Sequence, residues 1–247
     1  MITVATLVRD TPGIFDLLGM LDRNMPCDYE IVIGDNSTGQ DYSVEMKELA
    51  DEYVYIEDKQ FFRMGIPWCH NLINSMANTY KIFYLDSDEY PVWIHPDIED
   101  RFDINYVLPV VRFDFFSNEE IVEIDEMEEN YPNLIKHCDK IAEGTSVQDR
   151  IYNSRYVQFD GLCHSTFHVP MHFRAAEAGA IYLHNQTVRE DKDKDRMDKL
   201  IDEQFARQNI NFMLSSSEQV LKWGKGVQHK FDDWNEWSDY YSWLSGA

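Results

Sequence analysis

The chain has 247 residues, enough for one large domain with a substantial core. Hydrophobic residues make up 44% and aromatic residues 14%, a globular composition that excludes a disordered chain. Asp and Glu number 45 against 22 Lys and Arg, and the net charge of −23 opposes capture by nucleic acid or an anionic lipid surface.

No apolar run is long enough to span a bilayer, and no basic-then-apolar leader opens the chain, so a cytoplasmic protein is expected. Cys27, Cys69, Cys138 and Cys163 form no C-x-x-C pair and are expected to be free thiols.

The apolar run at 2–8 predicts a strand buried on both faces. Pro12 suits a first helical turn, after which Ile14, Leu17, Leu18 and Leu21 recur on one helical face. Residues 29–34 predict a second strand that runs into the turn Asp35-Asn36-Ser37-Thr38-Gly39. A helix at 45–51 and a short strand at 53–56 follow. Pro67 opens the next helix, where Cys69, Leu72, Ile73, Met76 and Ala77 repeat the one-face spacing. A fourth strand at 81–85 leads straight into Asp86-Ser87-Asp88-Glu89. This alternation predicts an α/β fold with a mostly parallel sheet and right-handed crossovers.

After Pro96 the pattern changes. Strands are predicted at 106–116 and 121–124, joined by a turn at Ser117-Asn118 into an antiparallel hairpin, with an acidic loop at 125–129. Further short strands are predicted at 150–152, 157–159 and 180–184, then a polar helix at 193–208 with Met197, Leu200, Ile201 and Phe205 facing inward. The final stretch spreads Trp223, Trp234, Trp237 and Trp243 among charges, for packing on the core, a homodimer contact or stacking on a ligand. No repeat or biased linker divides the chain, so one domain with an accessory tail is expected.

In a parallel sheet, ligands bind beyond the carboxyl ends of the strands. Three polar clusters fall there: Arg9-Asp10, Asp35-Asn36-Ser37 and Asp86-Ser87-Asp88. Asp86 and Asp88 leave a strand of wholly apolar side chains, a pattern suited to a hard divalent cation, Mn²⁺ or Mg²⁺, shared with substrate phosphates. A second D-x-D at Asp191, Asp193 and Asp195 has Lys spacers and reads as a solvated helix start. Asp35 suits two readings equally, an acceptor for a base N–H or a plain Asx turn. His184 ends the run Ala180-Ile181-Tyr182-Leu183, where a lone His is an ordinary core or surface residue or an imidazole metal ligand.

Val4 to Arg9, followed by Tyr29 to Thr38, resembles the opening of family 2 glycosyltransferases. Phe62-Arg63-Met64-Gly65 through Asn71 is similar to that family's Gly-then-Ala-x-Asn stretch, with Cys69-His70 replacing its small residues. Tyr84 to Glu89 matches the family's D-x-D strand. The second half resembles a subgroup through Asp149 to Asn153, Phe159 to His164, and Tyr182-Leu183-His184 with Lys192, Lys194 and Arg196. Ser165 stands where that subgroup has Glu.

The resemblance implies a GT-A fold, with a Rossmann-like sheet covered by helices on both faces, a small antiparallel second sheet and a helical tail. It implies a nucleotide-sugar half at 1–95, an acceptor half at 96–190 and an aromatic-rich helical extension at 191–247. It implies a UDP-sugar as first-choice donor, held by Thr6, Val8, Arg9, Asp35, Asn36, Ser37, Gly65, Asn71, Asp86, Ser87, Arg189, Lys192 and Lys194. Asp86, Asp88 and His184 would hold the metal. An inverting mechanism would draw its general base from Asp160 or Asp149, with His164 behind them. The acceptor would offer a hydroxyl on a glycan, glycolipid, protein or modified base. The alternatives are a non-catalytic nucleotide-sugar or carbohydrate-binding module and, from a further class, a sugar nucleotidyltransferase, although Arg9-Asp10-Thr11-Pro12-Gly13 is not a Gly-rich basic phosphate loop.

Overall fold

The computed structural model describes residues 1–39, 42–102, 107–116, 140–142, 146–157, 159, 175, 178–185 and 227–229. The first half alternates β1 (Ile2–Val8), α1 (Gly13–Asn24), β2 (Tyr29–Asp35), α2 (Ser43–Leu49), β3 (Glu52–Tyr55), α3 (Asp58–Met64), α4 (Ile66–Met76) and β4 (Lys81–Asp86). Then come β5 (Glu89–Ile94), α5 (Ile98–Arg101), β6 (Val107–Phe116), β7 (Lys140–Ala142), β8 (Ser146–Asn153), β9 (Ala180–Asn185) and β10 (Val227–His229).

Period-two alternation sends successive residues of a strand to opposite faces, and here each face meets its own helix. Val4 and Val8 of β1, with Phe83 and Leu85 of β4, pack against Ile14, Leu17, Met20 and Leu21 of α1. Ala5 of β1, with Ile82 and Tyr84 of β4, packs on the other side against Ile73 of α4. A third cluster joins Ile56, Phe61, Phe62 and Cys69 around α3 and α4. Most of these side chains are fully buried, each worth about 1.5–3 kcal/mol of transfer free energy when it is Val, Leu, Ile, Phe or Met. Gly34 lets α4 approach β2, because a Cβ there would lie 2.6 Å from Ile73 Cδ1.

The ten strands form one sheet in the order β10-β7-β6-β8-β4-β1-β2-β3, with β9 beside β6 and β5 beside β9. The pairs β1–β2, β1–β4, β2–β3 and β6–β9 are parallel. The pairs β4–β8, β5–β9, β6–β7, β6–β8 and β7–β10 are antiparallel. The antiparallel part is therefore continuous with the parallel part through β4–β8, where the sequence led us to expect a separate small sheet. Val157 and Phe159 are buried in the second cluster but lie in no strand, in place of the expected one at 157–159. The short strand β10 falls inside the extension expected to be helical; the helix at 193–208 and the hairpin partner at 121–124 lie outside the described residues. Cys27 and Cys69 are free thiols. Among the described residues, no helix is long and apolar enough to cross a membrane.

One carboxylate interrupts the buried face of α1. Asp16 is 6% exposed, and its Oδ1 has no hydrogen-bond partner among the described residues. Burial pushes its pKa from 3.8 up to about 7. Between those values the folded state keeps a proton that the unfolded chain has released. Its contribution is therefore present below the unfolded pKa and is lost as pH rises, by about 1.4 kcal/mol per unit of separation. Asp16→Asn is expected to raise Tm relative to the parent at about pH 8 and to lose that advantage near about pH 4, read by thermal unfolding across the range.

Candidate functional site

The register of β1 with its neighbours aligns Val8 with Asp35 and Leu7 with Asp86. The exits of β1, β2 and β4 thus share one edge of the sheet, where connecting loops gather in a parallel fold. Thr6 and Val8 lie in β1 just below this edge with their side chains in the core, both 0% exposed.

On the β2 side, hydrogen bonds tie the loops into one unit. Asp35 is fully buried; its Oδ1 accepts the Ser37 amide at 2.8 Å, closing an Asx turn. Its Oδ2 accepts the hydroxyls of Ser43 at 2.6 Å and Tyr53 at 2.7 Å. One of these bonds closes the turn, and the other two tie it to α2 and β3. Arg9 donates to Asn36 Oδ1 and to Asp58 Oδ1, both at 2.6 Å, so it braces β1 against the start of α3. Asn36 in turn donates to the Ile56 carbonyl at 2.8 Å.

Asp10 anchors the same unit. It sits in the left-handed region at φ 46°, uncommon for a residue other than glycine. Its carboxylate accepts the amides of Thr38 at 2.8 Å and Gly39 at 2.9 Å and the Thr38 hydroxyl at 2.7 Å. Its own amide donates to Ser37 Oγ at 2.9 Å. Burial raises the Asp10 pKa, but these hydrogen bonds and the nearby Arg9 charge outweigh it and hold the carboxyl below its ordinary value. Gly65, at φ 83°, makes the tight junction between α3 and α4.

On the β4 side, the acidic turn is built around Arg150. Leu108 pairs with Ile151 and Pro109 with Asp149, so Arg150 is the extra residue of a β-bulge opposite a proline that has no N–H to offer. Its Nη2 donates to Asp86 Oδ2 at 2.8 Å and to Glu89 Oε1 at 2.6 Å, and its Nε donates to Gln148 Oε1 at 2.9 Å. Glu89 Oε2 accepts the Asp86 backbone amide at 2.9 Å. Burial drives the Glu89 carboxyl upward, with Arg150 opposing it. Glu89 is the cross-strand partner of His184, and His184 Nε2 lies 3.6 Å from Asp88 Oδ2. Ser87 presses on the first turn of α1, where a Cβ on Gly13 would lie 2.8 Å from its carbonyl oxygen.

Beneath Tyr84 lies His70, 4% exposed, with ring centroids 4.0 Å apart. Neither His70 nitrogen has a hydrogen-bond partner among the described residues, and burial pushes its pKa down to about 3, so the ring is neutral. Next to it, Asn71 donates to the Phe159 carbonyl at 2.8 Å and accepts the Phe159 amide at 2.9 Å. That amide, which the resemblance assigns to a nucleotide sugar, clasps the chain one residue before Asp160.

The structure therefore gathers Arg9, Asp35, Asn36 and Ser37 in one network and Asp86, Asp88 and His184 in another, on a common edge. Asp149 is half-buried beside the bulge. Asp160, His164, Arg189, Lys192 and Lys194 lie outside the described residues. Sequence reasoning placed Glu89 in the acidic motif and Asp10 on the rim but gave neither a role, and it gave Arg150 no part in the acidic turn. The signal available for Arg150 was a lone cation within a strand.

No protein-family model matches the chain, and no curated protein sequence matches it. Among solved structures it is similar to S. aureus TarS 1–349 in complex with UDP, at 14% identity over 90% of this chain and 70% of that one, with a TM-score of 0.42. It is also similar to HddC from Yersinia pseudotuberculosis, at 10% identity over 75% of this chain and 90% of that one, TM-score 0.39. The apo-form glycosyltransferase GlyE of Streptococcus pneumoniae TIGR4 matches 44% of this chain and 29% of its own, at 17% identity and a TM-score of 0.30. These likenesses are too distant to assign a fold family or an activity.

Removing the Asn71 amide strips two buried backbone groups of their partners, at about 1–3 kcal/mol each. Asn71→Ala is expected to lower the denaturation midpoint accordingly, measured by urea unfolding; Asn71→Asp keeps the acceptor for the Phe159 amide but sets an oxygen against the Phe159 carbonyl, so it is expected to lower the midpoint as well.

Proposed function

We propose that the chain is a glycosyltransferase, moving a sugar from a nucleoside-diphosphate sugar to an acceptor hydroxyl by a single inverting displacement. The observation that carries this reading is the shared edge on which the buried strands β1, β2 and β4 bring the Asp35 turn and the Asp86–Glu89 turn together. A base-and-ribose moiety would lie along the braced Asp35–Gly39 loop, with the diphosphate towards the acidic turn. The sequence resemblance to family 2 supports the same order of parts, with a UDP-sugar as first-choice donor.

The acidic turn suits a divalent cation by its charge and its donors. Asp86 and Glu89 share one guanidinium, Arg150, and Asp88 lies 3.6 Å from the His184 imidazole. Among the described residues, no group of three or more His, Cys, Asp or Glu has metal-binding spacing. Mg²⁺ and Mn²⁺ nonetheless need few protein donors, because water and substrate phosphates fill the remaining positions. In this reading Asp88 and His184 hold the ion, while Asp86, bound to Arg150, orients the turn. The bound cation would supply charge stabilisation for the departing nucleoside diphosphate. Arg9 and Asp10 keep the nucleotide loop in one conformation, and Arg150 offsets carboxylate repulsion beside the phosphates. Asp160, which follows the clasped Phe159, and Asp149, beside the bulge, are the bases proposed to take the acceptor proton, with His164 behind them.

Slow hydrolysis of UDP-, GDP-, dTDP- or CDP-sugars in Mn²⁺, followed as released nucleoside diphosphate, tests the reading. Asp88→Ala should reduce that turnover by about 100-fold or more, with the thermal unfolding transition intact. Metal-dependent binding of a nucleotide sugar without any turnover would favour a non-catalytic binding module. Full activity in Asp88→Ala would reject the metal role.

A further inference from the structure

We propose that Glu89 is a positioning residue whose buried carboxylate sets the shape of the Asp86–Asp88 turn and so fixes the affinity of the site for a divalent cation. The inference rests on the metal reading above and adds the residue that makes the site rigid.

Glu89 is 0% exposed, so it can touch neither solvent nor a ligand in this conformation. Its two oxygens serve different parts of the same turn. Oε2 holds the Asp86 amide at 2.9 Å, which fixes where the backbone leaves β4. Oε1 holds Arg150 Nη2 at 2.6 Å, and that same nitrogen holds the Asp86 side chain at 2.8 Å. Main chain and side chain of Asp86 are thereby tied to one carboxylate. Glu89 also opens β5 opposite His184 on β9, so the residue that shapes the turn sets the register of the imidazole facing Asp88.

The requirement is for two acceptors. A glutamine at position 89 keeps size and shape but turns one acceptor into an NH₂ donor, which must face either the Asp86 amide or the Arg150 guanidinium. Either choice leaves a donor against a donor inside the protein, and the turn loses one of its two restraints. Supporting groups of this kind commonly change metal affinity by about 10–100-fold.

The test is Mn²⁺ binding to the full chain with UDP present to supply the phosphate ligands, read from the loss of the free-Mn²⁺ EPR signal beyond that caused by UDP alone. Wild type is expected to bind, and Glu89→Gln to bind about 10-fold or more weakly at a temperature where both unfold only well above the measurement. UDP binding without metal, which uses the Asp35 loop, should change by less than about 3-fold; a general loss of structure would weaken both. Should Glu89→Gln fail to fold, Glu89→Asp keeps the charge and both acceptors but is one methylene too short to hold the Asp86 amide and Arg150 together, and it should also bind Mn²⁺ weakly. Unchanged Mn²⁺ affinity in whichever variant folds overturns the inference and leaves the metal reading standing. Absence of Mn²⁺ binding by wild type overturns the metal reading, and this inference with it.

Discussion

A single guanidinium nitrogen, Arg150 Nη2, is shared between Asp86 and Glu89, and the acidic side of the candidate site is organised about that bond. Carboxylates crowded at a strand exit repel one another, and in a largely buried setting that repulsion is only weakly screened. Without a counter-charge the turn would splay or take up protons. Burial lowers the Arg150 pKa, but the fields of Glu89 and Asp86 overcome it and keep the pKa well above its ordinary value, so the cation stays charged. This residue sits in the bulge opposite Pro109, in the strand that pairs with β4. A residue on one strand thus prepares the electrostatics of a loop on its neighbour.

The β2 side solves a different problem, holding a polar loop still by hydrogen bonds alone among the contacts described. Here the anchor is Asp10, which accepts two consecutive backbone amides and a hydroxyl. The left-handed backbone at this position is the conformational cost of aiming that carboxylate back at the loop. Arg9, next to it, reaches the other way to Asn36 and Asp58 and lies 6.0 Å from the centroids of the Phe61 and Phe62 rings. Two adjacent residues of opposite charge therefore brace opposite flanks of one turn.

The parallel half was readable because its signals are local. Apolar runs gave β1, β2 and β4, and one-face spacing gave α1 and α4. The edge that unites Asp35 with Asp86 followed from strand direction alone. What escaped was either short or set by distant partners. The helix α3 spans only Asp58–Met64, too little for a period to emerge. The strand β5 starts inside the acidic motif, contains Pro91 and owes its existence to β9, far along the chain. Residues 157–159 have the hydrophobicity of a strand, but Asn71 takes the Phe159 amide and carbonyl that a ladder would need. The roles of Arg150 and Glu89 had the same origin, since a bulge is a property of pairing and leaves little trace in one strand's composition.

The Asn71 clasp makes position 159 a fixed point of the chain. Upstream of it, Val157 and Phe159 belong to the core shared with α4 and β4. Their location is fixed by side-chain amide geometry and not by whatever follows in the chain. The chain beyond this point still returns to the rim, because β9 pairs with β5 and β6 and brings His184 beside Asp88. The clasp therefore divides the chain into a stretch held by α4 and a stretch held by the sheet, and a change in length between them is absorbed by the connection and not by either loop.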